Sequence, residues 1–242
     1  MQCSHDRDDT SSAPKRCCYR SKPIPIFLIL TEESTPIGRS VGILGGSFDP
    51  IHIGHLWIAE AAREQLNLDE VLWVPAATSP LKPAGPTASD NHRKAMIQLA
   101  IGGNASFSLD GRELRAGGIS YSVDTVRSLR QEEPDTQWFF IMGSDSLASM
   151  ESWNEPSEFL ELVTPAIIQR GGDPPIDLSV LETLTRQDRI EQIERYIVKM
   201  PAIELSSTEI RKRLELGQSI RYRVPAAVET YIDFEKVYDI DA

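Results

Sequence analysis

Residues 41–56 read VGILGGSFDPIHIGHL, and the reading of this stretch decides the fold. VGILGG (41–46) is a short apolar run closed by two glycines, the pattern of a strand buried on both faces. The glycines let the backbone at the strand end come close to a ligand. From about Gly54 a helical spacing takes over, with Leu56, Ala59, Ala62 and Leu66 on one face. A strand that passes through Ser47, Phe48, Asp49 and Pro50 into a helix is the opening βα unit of a parallel sheet.

The alternation continues. EVLWVPA (70–76) predicts a second strand, and the proline-rich TSPLKPAGPTAS a loop running to Ser89. DNHRKAMIQLAI (90–101) predicts a helix with Asp90 or Asn91 as N-cap. ASFSL (105–109) reads as a strand, VDTVRSLRQ (123–131) as a helix, and TQWFFIMG (136–143) as a buried parallel strand. SDSLASM and PSEFLELV look helical, PAIIQR (165–170) is a further strand, and residues 180–195 are too polar to assign. In SSTEIRKRLELG, Ser206-x-x-Glu209 fits a capping box, Ile210 and Leu214 give the apolar stripe, and Gly217 is the expected C-cap. The fold expected is one Rossmann-like α/β domain over 40–242, a parallel sheet with helices on both faces.

Bulk properties narrow the function. The chain has 242 residues, 40% hydrophobic and 25% charged, as in ordinary globular proteins. A net charge of −11 argues against a nucleic-acid surface, which needs a basic stripe. Local cations in a cleft can still bind a small anion. Cys3, Cys17 and Cys18 give neither a disulfide framework nor a zinc set, so a cytoplasmic enzyme is expected. IPIFLIL (24–30) is too short to span a bilayer, and no membrane association is expected. Residues 1–39 are polar and aperiodic, and read as a disordered extension or an over-long start. The sequence leaves oligomeric state open.

His52 and His55 admit three chemistries. Zinc sites of the HExxH kind need histidines at i and i+4 plus a third ligand, whereas these lie at i and i+3 with only His5 and His92 elsewhere. A histidine nucleophile would need Asp49 to orient it. A phosphate cradle uses more of the residues: glycines at a strand end, a serine, a proline-fixed turn and a helix N-terminus whose free N–H groups favour anions. Two imidazoles beside that terminus add donors. The cradle is the reading this pattern favours.

These residues also carry a resemblance. GGSFDPIHIGHL resembles the (T/H)xGH signature of the nucleotidyltransferase superfamily, and SSTEIRKRL (206–214) its second signature, ISSTxIR. SPLKP, DGRELRAGGISYSVDT (110–125), FIMGSDSL, Trp153 and VPAAVETYI followed by VY are similar to segments of the bacterial nicotinate-nucleotide adenylyltransferases. The resemblance covers roughly residues 40–238. It implies a Rossmann-like fold of the nucleotidylyltransferase type. The implied reaction is transfer of the adenylyl group of ATP to nicotinate mononucleotide, giving deamido-NAD and pyrophosphate.

It further implies His52, His55, Lys82 and Arg211 as catalytic. Gly45, Gly46, Ser47, Phe48, Gly143, Asp145, Ser206, Ser207 and Thr208 would face ATP, with Asp145 on the ribose. Ser120, Tyr121, Ser122 and Trp153 would face the nicotinate nucleotide. Mg²⁺ is implied with ATP, held by phosphates and water, and no protein metal ligand is named. Other readings stay open: Lys82 as a solvated lysine, Arg211 as a surface arginine, Asp145 as a helix cap and Trp153 as core. Two departures from the family stand out. Ser122 replaces a threonine and keeps the hydroxyl, while Asn154 replaces a frequent aromatic and removes one wall of a pyridine pocket. The rival functions are another adenylyl- or cytidylyltransferase, such as the pantetheine-phosphate enzyme, and a non-catalytic nucleotide-binding regulator. Trp153, the SYS segment and the length between signatures favour the nicotinate enzyme.

Overall fold

Among the described residues, six parallel strands form the sheet: β1 (Ser40–Gly46), β2 (Glu70–Pro75), β3 (Phe107–Leu109), β4 (Gln137–Gly143), β5 (Thr164–Arg170) and β6 (Ile197–Met200). They lie in the order β3-β2-β1-β4-β5-β6. This computed structural model describes residues 38–82 and 84–239. The extension expected over 1–39 lies outside the described residues, apart from Gly38 and Arg39. The Arg39 carbonyl accepts from Gln137 N at 2.8 Å, and its guanidinium pairs with Glu70 and, at 3.0 Å, with Glu133.

The helices are α1 (Ile53–Gln65), α2 (Asp90–Ile101), α3 (Arg112–Ala116), α4 (Ser122–Glu132), α5 (Ser144–Ala148), α6 (Pro156–Leu162), α7 (Gln187–Glu194), α8 (Ser207–Glu215) and α9 (Ala226–Glu235). Alternation along β1 sends Leu44 to one face, where it packs with Ala59 and Ala62 of α1, Met96 and Ile97 of α2, Ile210 of α8 and Val228 of α9. Val41 and Ile43 point to the other, with Val126 and Leu129 of α4, Leu147 of α5, Phe159 of α6 and Ile193 of α7. Burial of both sheet faces is why these strands read as continuous apolar runs. None of the described helices is long and apolar enough to cross a membrane.

Several expectations are corrected by local chemistry. The strand expected at 105–109 starts only at Phe107, because Asn104 Oδ1 accepts from Ser106 N at 2.9 Å and turns the chain. The α2 cap is Ser89, whose hydroxyl accepts from His92 N at 3.3 Å; Asp90 instead pairs with Arg93 at 2.6 Å. Gly217 lies one residue past the C-cap Leu216, at φ 62°. There Gly217 N donates to Leu214 O and Gln218 N to Arg213 O, the Schellman pattern that glycine accommodates without strain. Ser206 accepts from Glu209 N at 3.1 Å, half of the capping box, while the Glu209 carboxylate faces Arg223 at 3.7 Å.

Candidate active site

The order β3-β2-β1-β4-β5-β6 reverses direction between β1 and β4, and open parallel sheets bind ligands at the carboxyl ends of the strands at such a point. There the structure has a two-lobed cleft. One lobe, about 350 Å³, is lined by Gly46, Ser47, Phe48, Asp49, His52, Gly54, His55, Lys82, Arg170, Ser206, Ser207, Thr208 and Arg211, among others. The other, about 590 Å³, is lined by residues including Gly45, Glu113, Ser120, Tyr121, Ser122, Phe140, Gly143, Ser146, Trp153 and Asn154. Gly46, Ser47, His55, Ile58, Lys82 and Arg170 line both, so the lobes meet at the end of β1.

The turn after β1 is tightly packed. A Cβ at Gly46 would sit 3.1 Å from the buried Phe48 ring, so a side chain there would have to push that ring aside. Phe48 is buried at φ 49° and its ring packs edge-on against His55, centroids 5.1 Å apart. Such left-handed backbone in a bulky residue is costly and is held only by surrounding packing. The buried guanidinium of Arg93 donates to Ser47 O at 2.8 Å and fixes the turn from beneath.

His52 is the N-cap of α1, and its ring stacks on His55 at 3.7 Å. Burial, aided by the Arg170 charge, lowers the His52 pKa to about 4. Burial, then His52, Lys82 and Arg170, holds His55 well below the ordinary histidine value. Both rings are therefore neutral at pH 7. His55 Nδ1 accepts from His52 N at 3.2 Å, so the proton of the neutral ring resides on Nε2 and makes it a donor. The nucleophile reading fails on geometry. Asp49 turns its carboxylate away, accepting from Thr87 N (2.7 Å), Ala88 N (3.0 Å) and Tyr238 OH (2.8 Å).

A second helix start faces the first. Ser207 Oγ donates to Pro50 O at 2.8 Å and Arg211 Nη1 to Asp49 O at 2.5 Å, tying α8 to the β1–α1 turn. The hydroxyls of Ser206 and Ser207 are thus engaged in structure, whereas Thr208 Oγ1 has no hydrogen bond among the described residues. Lys82 is exposed and lines both lobes.

In the second lobe Ser120 Oγ accepts from Ala77 N at 3.0 Å and bonds to Glu113, whose carboxyl pKa is raised by burial. Its hydroxyl serves the scaffold. Tyr121 and Ser122 stand at the start of α4. The Trp153 ring packs edge-on against Phe140 and Phe159 at 6.1 and 5.3 Å, as a core residue does, and it also lines the lobe. Asn154 lines the lobe as well, with its amide donating to Glu155 at 3.3 Å. Asp145 is exposed and lines neither lobe; it does not cap α5 through its side chain, and Gly143 is the N-cap. A Cβ at Gly143 would meet nothing within 4 Å, so the protein's own packing does not demand glycine there.

Arg170, at the end of β5, escaped the sequence reading although it lines both lobes and its charge reaches both histidines. Its side chain has no hydrogen bond or ion pair among the described residues. The signal was its place as last residue of the strand PAIIQR, the end at which open sheets bind ligands.

Residues 43–213 match the family model described as cytidylyltransferase-like. Fold, cleft and match together define a nucleotidyltransferase of that class. The chain is 48% identical to the probable nicotinate-nucleotide adenylyltransferase of Rhodopirellula baltica, over 86% of this chain and 98% of the relative. It is 42% identical to the probable nicotinate-nucleotide adenylyltransferase of a Synechococcus species, over 84% and 96%. It therefore belongs to the nicotinate-nucleotide adenylyltransferase family. A solved structure, Plasmodium falciparum nicotinic acid mononucleotide adenylyltransferase complexed with NaAD, shares the fold at a TM-score of 0.63 and 20% identity, covering 83% of this chain and 98% of that one.

Proposed function

We propose that this enzyme transfers the adenylyl group of ATP to nicotinate mononucleotide, releasing pyrophosphate and forming deamido-NAD, in the cytoplasm. The observation that carries the reading is the joined cleft. A lobe of helix N-termini, imidazoles and cations opens at His55 into a lobe walled by Trp153, Tyr121 and Phe140. A phosphopantetheine acceptor has no ring to set against that aromatic wall.

A 5′-phosphate oxygen of the nucleotide attacks the α-phosphorus of ATP. The bond to the bridging oxygen breaks and pyrophosphate leaves. No protein nucleophile is required, so catalysis is positioning plus stabilisation of moving charge. His55 Nε2–H donates to the phosphates as charge builds, and His52 shapes the same wall. Arg211 offers Nε and Nη2, and Lys82 and Arg170 act as cations where the lobes meet. Ser47, Phe48, Gly46 and Thr208 line the triphosphate path, with Ser206 and Ser207 building the α8 terminus and Gly45 facing ATP from the second lobe. Gly143 leaves room at the edge of the second lobe for the adenosine ribose, and the exposed Asp145, which lines neither lobe, is a ribose acceptor only if the nucleotide extends beyond that edge. Trp153 stacks on the pyridine ring, and Ser122 with the α4 N-terminus meets the nicotinate carboxylate, with Ser120 and Tyr121 as wall.

Among the described residues no three His, Cys, Asp or Glu side chains group as a metal site. The residues present do not fit a protein-held metal, and Mg²⁺ would enter as the ATP complex. The test is direct: purified enzyme with ATP and nicotinate mononucleotide should form deamido-NAD and pyrophosphate in equal amounts. Adenylylation of phosphopantetheine but not of nicotinate mononucleotide would sink the reading.

A further inference from the structure

Asp49 is a puzzle for a polyanion site. A carboxylate only 4% exposed stands in the wall of the lobe that takes a triphosphate, where a negative charge opposes binding. It is retained because its oxygens are saturated by groups from three distant parts of the chain. Thr87 N and Ala88 N come from the end of the proline-rich loop that carries Lys82. Tyr238 OH comes from the segment after α9, 189 residues away in sequence. Arg211 Nη1 comes from α8, 3.5 Å from Oδ2 and bonded to the Asp49 carbonyl. Arg93 adds a buried positive charge nearby and holds Ser47, two residues upstream.

We infer that Tyr238 is a positioning residue for adenylyl transfer: its hydroxyl fixes the Asp49 carboxylate, and Asp49 holds Arg211 and the Lys82 loop against the triphosphate. With Nη1 taken, Arg211 is left with Nε and Nη2 to offer the cleft. Burial and the adjacent carboxylate push the phenol pKa up, so the hydroxyl stays a donor across the working range. The C-terminal end of the chain thereby reaches the reaction without touching a substrate.

This inference rests on the proposed activity, and the test separates the two. Tyr238→Phe removes one hydroxyl and keeps the ring. In the full-length enzyme kcat/KM for ATP should fall about tenfold, the scale of a lost hydrogen bond to a charged group. KM for nicotinate mononucleotide should stay within about twofold, because the acceptor lobe is untouched. In an Arg211→Ala background the further loss should be under about twofold, since the two residues act in one chain of contacts. Equal losses in both backgrounds, or no loss in either, overturn the inference even where the melting temperature drops. Should Tyr238→Phe fail to fold, Asp49→Asn replaces it in the same cycle, with the same non-additivity expected and additivity again overturning it. A wild-type enzyme that makes no dinucleotide removes the proposed activity alone. The cycle is then read on ATP affinity by calorimetry, where additive losses overturn the positioning role.

Discussion

At the scale of single residues the proposed chemistry rests on the stacked pair His52–His55. A neutral His55 with Nδ1 committed to a backbone N–H is a donor on Nε2 without being a fixed positive charge. Such a donor gains most when charge develops, so His55→Ala should lower kcat by about 10²–10³ while ATP affinity changes only a few-fold. Steady-state kinetics with ATP binding measured separately checks this; a loss confined to affinity would remove His55 from the transition state. His52 has a consequence for stability. Between pH 6.5 and about 4 the unfolded chain takes up a proton that folded His52 refuses, so acidification favours unfolding. The linkage amounts to on the order of 3 kcal/mol, present in full above the unfolded pKa and lost as the pH falls toward the folded one. Urea midpoints at pH 7 and at the acid end should therefore converge more for His52→Asn, which retains a helix-capping side chain, than for the wild type. The place of the histidines at a strand end and a helix start was legible in the sequence from the glycines and the helical spacing. The stacking and the tautomer were not, because they depend on the backbone geometry of the turn, and the neutral rings were not, because they depend on burial and on the Arg170 charge from the end of β5.

At the scale of elements, α8 was the most legible helix, since a serine cap, an apolar stripe and a left-handed glycine all agree in sequence. What the sequence could not divide was the labour among its three hydroxyls. Ser206 caps, Ser207 ties the helix to Pro50, and Thr208 alone has no hydrogen bond among the described residues. Ser206→Ala should cost about 1 kcal/mol and lower the melting temperature by about 2–4 °C, with modest loss of activity. Thr208→Val, nearly isosteric, should leave melting unchanged and reduce kcat/KM for ATP about tenfold. Paired melting curves and kinetics decide it, and the reverse pattern would exchange the two roles. Elements that escaped the sequence are the short ones. α3 has five residues, too few to show a period, and β6 has four at the sheet edge, one of them exposed Lys199. α7 lies in the polar stretch left unassigned, where Ile190 and Ile193 are its only buried residues.

At the scale of the whole molecule the decisive feature is where the sheet reverses. The two signature segments are some 150 residues apart in the chain, yet the reversal between β1 and β4 and the return of α8 bring them to one cleft. The parallel α/β sheet followed from the alternation of apolar runs and helical stripes, and the pairing of the two segments from the family resemblance, while the strand order did not follow from either. Arg170 did not follow. The last residue of a strand reads as polar punctuation until the neighbouring strand ends are known, and only the sheet order puts it opposite α1. In a chain of net charge −11, three cations among the described residues meet this cleft: Lys82, Arg170 and Arg211. Arg211 lines only the first lobe, whereas Arg170 lines both. The consequence is a specific pattern of kinetic damage. Arg170→Ala should weaken both substrates, raising KM for ATP and for nicotinate mononucleotide by about tenfold each, as expected for loss of a charged contact. Trp153→Ala should raise KM for the mononucleotide alone, because its ring faces only the second lobe. With the Arg170 charge gone, one of the groups depressing His52 and His55 is also removed, so the acid limb of the rate profile should shift to higher pH. An Arg170→Ala enzyme with one KM unchanged and an unaltered pH profile would show that the two lobes do not share this cation.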